Sequence, residues 1–213
     1  LGGLGSPVAM YLAASGVGHL VLVDHDRVEL SNLQRQIAHI TYAIGSDKVV
    51  SAKQTLTALN PDVRITTFNK VLDADELAEQ VRLADVVVDA SDNFATRFGL
   101  NRICVAQKKP LVSGAAIRLE GQVTTFRADQ PDSPCYRCLY KDMDELAETC
   151  SETGVLAPVV GIIGSIQAAE VLKILTGTGQ TLTGRLLILD AQTMEWRELR
   201  LRKDPDCPVC GGP

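Results

Sequence analysis

The sequence predicts an α/β fold: a doubly wound, Rossmann-like sheet, mostly parallel, with antiparallel strands toward the C-terminus. Three observations carry this. Short apolar runs alternate with helical segments through the first 114 residues, the pattern of βαβ units. The apolar complement is Val, Leu, Ile and Ala with only four Phe, four Tyr and one Trp, which suits helices packed on a buried parallel sheet. A glycine-rich turn, Leu1-Gly-Gly-Leu-Gly-Ser6, opens straight into a helix, as phosphate-binding turns of such folds do.

Each element follows from local signals. Ser6 to Ser15 reads as a helix, with Ser6 as N-cap, Pro7 in its first turn and Gly16 as its stop. The run from His19 to Asp24 reads as a buried strand. Asp47 to Asn60 is helical and ends at Asn60-Pro61. Val63 to Phe68 is a strand, Asp75 to Leu83 a helix, and Asp85 to Ala90 a second buried strand. Phe94 to Gln107 is a helix and Pro110 to Gly114 a strand. In the second half, Gln122 to Arg127, Arg185 to Asp190 and the alternating Met194 to Leu201 read as strands that extend the same sheet. The apolar helix Ala157 to Leu175 lies between them. Without repeats or a long linker, residues 1–213 form one domain. The strand that ordinarily precedes a glycine-rich turn is not in this sequence, so a first strand and helix are expected upstream of Leu1.

Composition narrows the function. With 21 basic and 26 acidic residues the net charge is −5, which argues against non-specific binding to nucleic acid or an anionic membrane. The longest uncharged stretch, Thr153 to Ala169, contains Pro158, Ser165 and Gln167 and reads as a buried helix rather than a membrane span. No signal peptide is visible. A cytoplasmic location follows, in which six cysteines are metal ligands or reactive thiols rather than disulfides.

The polar residues gather at strand ends. Asp24 ends a strand about 20 residues after the glycines, where an acidic residue contacts a ribose in dinucleotide folds; a solvated strand-end Asp is the plain alternative. A nicotinamide-dependent oxidoreductase would use that pair. Yet Ser31-Asn-Leu-Gln-Arg-Gln36 sets a guanidinium among amides suited to phosphate oxygens. Lys48 opens the next helix, and Ser91-Asp-Asn93 follows the strand ending at Ala90. Asp92 can hold Mg²⁺ against phosphates. Against these stand a surface role for Lys48 and a helix N-cap role for Asp92.

Two Cys-x-x-Cys pairs, Cys135/Cys138 and Cys207/Cys210, have the bite of zinc knuckles, and four thiolates complete a structural tetrahedral site. A redox pair is the rival reading. Cys104 sits in an apolar helix and reads as core.

The segments Gly2-Gly-Leu-Gly-Ser6, Val23-Asp-His-Asp26, Ser31 to Gln36, Gly45-x-x-Lys48, Ser91-Asp-Asn93, Pro110 to Ala116, Gly121-Gln122, both Cys pairs and Gly154 to Gly164 together resemble the ThiF/MoeB adenylyltransferase family, bacterial relatives of ubiquitin-activating enzymes. The resemblance covers essentially the whole chain. It implies ATP-dependent adenylylation of the C-terminal Gly-Gly carboxylate of a small β-grasp sulfur-carrier protein. Gly2, Gly3 and Gly5 would let the turn approach the ATP phosphates, and Asp24 would hold the ribose. Ser31, Asn32, Leu33, Gln34 and Arg35 would line phosphates and ribose. Lys48 would neutralise charge, and Asp92, beside Asn93, would hold Mg²⁺. The nucleophile is already an anion, so no general base is needed; His19, His25 and His39 read as structural. The resemblance also implies a homodimer, a separate sulfur donor, an Arg supplied by the partner's N-terminal segment, and Cys150 as an acceptor thiol. Val112 to Arg118 and Glu120-Gly-Gln122 lean toward the molybdopterin branch, while the tail Cys207 to Gly212 leans toward thiamine-thiazole synthesis. A non-catalytic scaffold would be expected to have lost Arg35, Lys48 or Asp92, and all three are present.

Overall fold

The computed structural model describes residues 1–140 and 154–211, so Cys150 lies outside the described residues. Strand β1 (His19–Val23) pairs in parallel with β2 (Arg64–Phe68). A second ladder runs in the order β3 (Val87–Asp89), β4 (Pro110–Ile117), β5 (Glu120–Arg127), β6 (Arg185–Asp190) and β7 (Glu195–Arg200). Within it β3 and β4 are parallel and every later pair is antiparallel. The mixed orientation is as predicted, but the strands form two ladders rather than one. Side chains join them: Leu20 and Leu22 of β1, Ile65 of β2 and Val112 of β4 share one buried cluster with Val8, Leu12, Ala168 and Val171.

The helices are α1 (Gly5–Ala14), α2 (Lys48–Leu59), α3 (Ala74–Leu83), α4 (Phe94–Ala106), α5 (Tyr136–Leu139) and α6 (Ala157–Thr176). Asp73 caps α3 in a reciprocal box: its carboxylate accepts from Glu76 N–H, and its own N–H reaches Glu76. Strand β4 runs three residues past its predicted end because Arg118-Leu119 turns it back onto β5, with Ile117 opposite Glu120. Arg118 takes φ 52°, a value that turn sequences usually give to Gly or Asn, so the usual hairpin signal is missing. All six residues of β7 are exposed, so the alternation read from the sequence does not separate a buried face from a wet one.

Helix α6 is long and apolar enough to cross a membrane, yet it is a core helix that packs against α1, β4 and β5. Two of its polar residues are spent inside the protein. Gln167, fully buried, donates to the Asp89 carbonyl at 2.8 Å, and Glu170 accepts from Thr125 Oγ1 at 2.7 Å and from Leu182 N–H at 2.6 Å. Gly164 lets α6 close on α1: a Cβ there would lie 2.6 Å from the Leu4 carbonyl oxygen.

Candidate functional site

Residues 1–5 form the hub of a crevice at the ends of β1 and β3. Helix α1 begins at Gly5, not at Ser6, and no side chain caps it. Ser6 lies inside the first turn, where its hydroxyl donates to Leu1 O at 3.3 Å; that corrects its reading as N-cap. In this turn Ser6 N–H is taken by Gly2 O at 3.0 Å and Pro7 has no N–H, so what the helix start offers an anion is chiefly the positive end of its dipole. The glycines differ in their reasons. A Cβ on Gly3 would stand 2.7 Å from Val160, so Gly3 seats the turn on α6, whereas Gly2 and Gly5 have ordinary room beside Gln36 and Ala90.

Four segments converge on this hub. Asp24, just past β1, accepts Asp26 N–H at 2.9 Å on one carboxylate oxygen. In the following loop, Arg35 Nη2 donates to Asn32 Oδ1 at 2.7 Å, both residues half-buried; Ser31 and Gln34 are exposed and Leu33 is half-buried. Beside Gly2 the buried Gln36 Oε1 has no hydrogen-bond partner among the described residues. His39, also buried, links Leu1 O (3.1 Å from Nε2) to Ser51 Oγ (2.9 Å from Nδ1).

Lys48 opens α2 as predicted, but it is no surface lysine. Its side chain is 6% exposed, and its ammonium donates to Asp26 Oδ2 at 2.8 Å. Asp26 was not singled out as a site residue from the sequence, although it stands in the Val23-Asp-His-Asp26 segment. Only the long-range pairing reveals its use.

The fourth segment follows β3. Asn93, not Asp92, caps α4 by accepting Thr96 N–H at 2.9 Å. The N-cap alternative for Asp92 is therefore wrong, and its exposed carboxylate has no partner among the described residues. The Ser91 backbone is fixed from two sides. Buried Asp89 accepts Ser91 N–H at 3.0 Å and Ser91 Oγ at 2.6 Å, and Arg97 Nη2 donates to Ser91 O at 2.6 Å. Ser113 Oγ holds the other Asp89 oxygen at 3.0 Å. No sequence spacing signalled Asp89, Arg97 or Ser113 as loop supports.

The second cluster lies at α5 and the C-terminal tail. The sulfurs of Cys135, Cys138, Cys207 and Cys210 all lie within 4.8 Å of one another, with Cys135–Cys207 at 3.7 Å and Cys138–Cys210 at 3.4 Å. Four thiolates about 2.3 Å from a central zinc would stand about 3.8 Å apart, whereas a disulfide requires about 2.05 Å. The set thus fits a tetrahedral metal. Burial raises the Cys207 pKa, but the N–H groups of Cys210 and Val209 pull further and bring it down to about 7. Gly211 closes the tail turn where a Cβ would stand 2.4 Å from Pro205 O. Cys104 is buried core as expected, its thiol pushed up to about 12 by burial.

Comparison with known proteins agrees with this arrangement. Molybdopterin-synthase adenylyltransferase of Escherichia coli (strain K12) is 50% identical over 211 residues, covering 99% of this chain and 84% of that protein. Sulfur carrier protein ThiS adenylyltransferase of the same organism is 45% identical over 212 residues, covering 100% and 84%. The crystal structure of E. coli MccB with MccA-N7isoASN superposes with a TM-score of 0.87 at 22% identity, covering 99% of this chain and 65% of that one; it establishes likeness of fold. The two E. coli relatives at 50% and 45% identity are adenylyltransferases by name, and the ThiF family matches residues 1–209, which include the glycine-rich turn and three of the four paired cysteines. On the crevice, the paired cysteines and a match along nearly the whole chain, this protein belongs to the ThiF family.

Proposed function

We propose that the chain uses ATP to adenylylate the C-terminal Gly-Gly carboxylate of a β-grasp sulfur-carrier protein. The carboxylate oxygen attacks the α-phosphorus, the bond from that phosphorus to the β-phosphate bridging oxygen breaks, and the electron pair leaves with pyrophosphate. Both reactants are anions, so alignment and charge neutralisation supply most of the rate. The observation that carries this reading is the gathering of separate segments at the glycine-rich turn, with His39 on Leu1 O, Gln36 beside Gly2 and Ala90 beside Gly5, close in sequence to Arg35 and to an Asp92 without a partner among the described residues.

In this reading Gly2, Gly3 and Gly5 admit the phosphates to the first turn of α1, and Asp24 faces the ribose. Asn32 and Arg35 grip phosphate oxygens, with Ser31, Leu33 and Gln34 lining the same loop, and Lys48 offsets the charge. Asn93 fixes the loop through its cap. Asp92 would hold Mg²⁺, which when bound neutralises phosphate charge. Zn²⁺ would sit among Cys135, Cys138, Cys207 and Cys210, where it ties the tail to α5. Two protomers form the working homodimer in the cytoplasm, sulfur comes from a separate donor, and Cys150 is an acceptor thiol. The 50% identical relative favours a molybdopterin-synthase carrier over the thiamine-thiazole one. A hydride-transfer reading would leave Arg35, Lys48 and both Cys pairs without a use.

ATP–pyrophosphate exchange tests this, with carriers ending in Gly-Gly added one at a time. Exchange that requires one carrier is the expected result and names the pathway. ATP binding without exchange for any carrier would replace the reading with that of a scaffold.

A further inference from the structure

The four-cysteine site and the loop bearing Asp92 share a support, helix α4. Asn101 lies on this helix, 1% exposed, and uses both ends of its amide. Its Oδ1 accepts Tyr136 N–H at 2.9 Å, and its Nδ2 donates to Cys135 Sγ at 3.6 Å. The orientation is fixed by chemistry: a backbone N–H can only donate, so the carbonyl end must face Tyr136 and the NH₂ end must face the sulfur. Cys138 Sγ takes its bonds from the backbone N–H groups of Cys135 and Asp204, both at 3.5 Å. Among the described residues Asn101 is thus the one side chain, other than the cysteines themselves, that donates to these sulfurs. Donors to a metal-bound thiolate orient it and lower its charge.

One turn toward the N-terminus, Arg97 reaches Ser91 O, and one turn further Asn93 caps the helix behind Asp92. Residues 93, 97 and 101 are spaced four apart and so lie along one face of α4. Tyr136, held by Asn101, stacks edge-on against Phe98 of the same helix at 5.3 Å.

We infer that Asn101 is a positioning residue that ties the four-cysteine site to the Ser91–Asn93 loop. The inference rests on the metal and ATP reading given above. Its test uses the full chain loaded with Co²⁺, whose thiolate charge-transfer bands report the sulfurs directly, and equilibrium binding of ATP with Mg²⁺ in the absence of any carrier. Asn101→Leu removes both hydrogen bonds; Asn101→Asp keeps an acceptor for Tyr136 N–H but loses the donor to sulfur. Both variants should shift the cobalt bands and bind metal about 10–100-fold more weakly. At saturating metal only Asn101→Leu should weaken ATP binding, by about 5-fold or more. Wild-type bands and metal affinity in both variants would overturn the inference while leaving the metal reading intact. Altered bands with unchanged ATP binding in Asn101→Leu would break the tie to the loop. Wild-type protein without tetrathiolate bands would remove the metal reading and the inference with it. Should Asn101→Leu fail to fold, the nearly isosteric Asn101→Asp still decides the sulfur contact.

Discussion

The crevice at the glycine-rich turn and the cysteine corner are built by opposite means. The crevice collects polar groups from separate segments and leaves two of them open: among the described residues neither the Asp92 carboxylate nor the buried Gln36 Oε1 has a partner. In the cysteine corner two short segments bring four sulfurs together, and the protein itself supplies N–H donors to them. A site that meets a transient anion keeps open valences for it. A site that holds a metal is organised from within. Perturbing the first should therefore cost chemistry, and perturbing the second should cost structure.

The largest expected effect is on chemistry. Lys48→Ala should lower ATP–pyrophosphate exchange by about 10²–10³-fold, the usual cost of deleting one charge-stabilising donor. Arg35→Ala should act in the same direction. Stability should change little, because the Asp26 carboxylate freed in Lys48→Ala is 55% exposed and can hydrate. Metal content should be unchanged. Near-normal exchange in either variant would break the assignment of the crevice.

Structure should respond next. Cys207→Ser should take metal content from about one per chain toward none, and a loss of about 3 kcal/mol would lower the melting midpoint by about 6–12 °C for a chain of this size. Metal analysis and a thermal melt check both halves. If the variant retains its metal, the four-thiolate site is wrong; if it loses metal without losing stability, the corner is not a structural tie.

The two regions also differ in how far the sequence disclosed them. The cysteine corner was legible outright, because Cys-x-x-Cys spacing is a local signal and two pairs complete one another. In the crevice the strand-end residues were legible as a set, since the βαβ alternation places them together. Their partners were not. Asp26 under Lys48 in the crevice, like Asn101 under Cys135 in the corner, is a contact over tens of residues, 22 and 34, that no helix or strand period announces. The short Asp89–Ser91 contact was hidden for another reason: a buried Asp in an apolar run looks like any strand residue until its donors are seen. Element ends slipped where side chains decide them, as at Asn93, which took the cap that Asp92 could have filled. The division of the strands into two ladders was equally hidden, because apolar runs report burial and not which neighbour supplies the hydrogen bonds.

The smallest effect expected is a pH dependence that belongs to the crevice alone. His39 is buried between Leu1 O and Ser51 Oγ. Burial lowers its pKa below 6.5; the bond to Leu1 O opposes this, and the nearby Lys48 charge adds to burial. Because Leu1 O can only accept, Nε2 carries the proton of the neutral ring and Nδ1 is free to accept from Ser51. In the unfolded chain the ring takes up a proton near pH 6.5; in the folded protein it does so only at lower pH. Between those two values the unfolded state binds more protons, so this residue's contribution to stability is full above about pH 6.5 and is lost as pH falls through the folded value. Denaturant melts from pH 7.5 to 5 should therefore show wild type losing more stability than His39→Gln, a neutral side chain that can still meet both partners. Parallel curves would mean that His39 titrates as it would in water, and that the hub of the crevice is open at its base rather than closed.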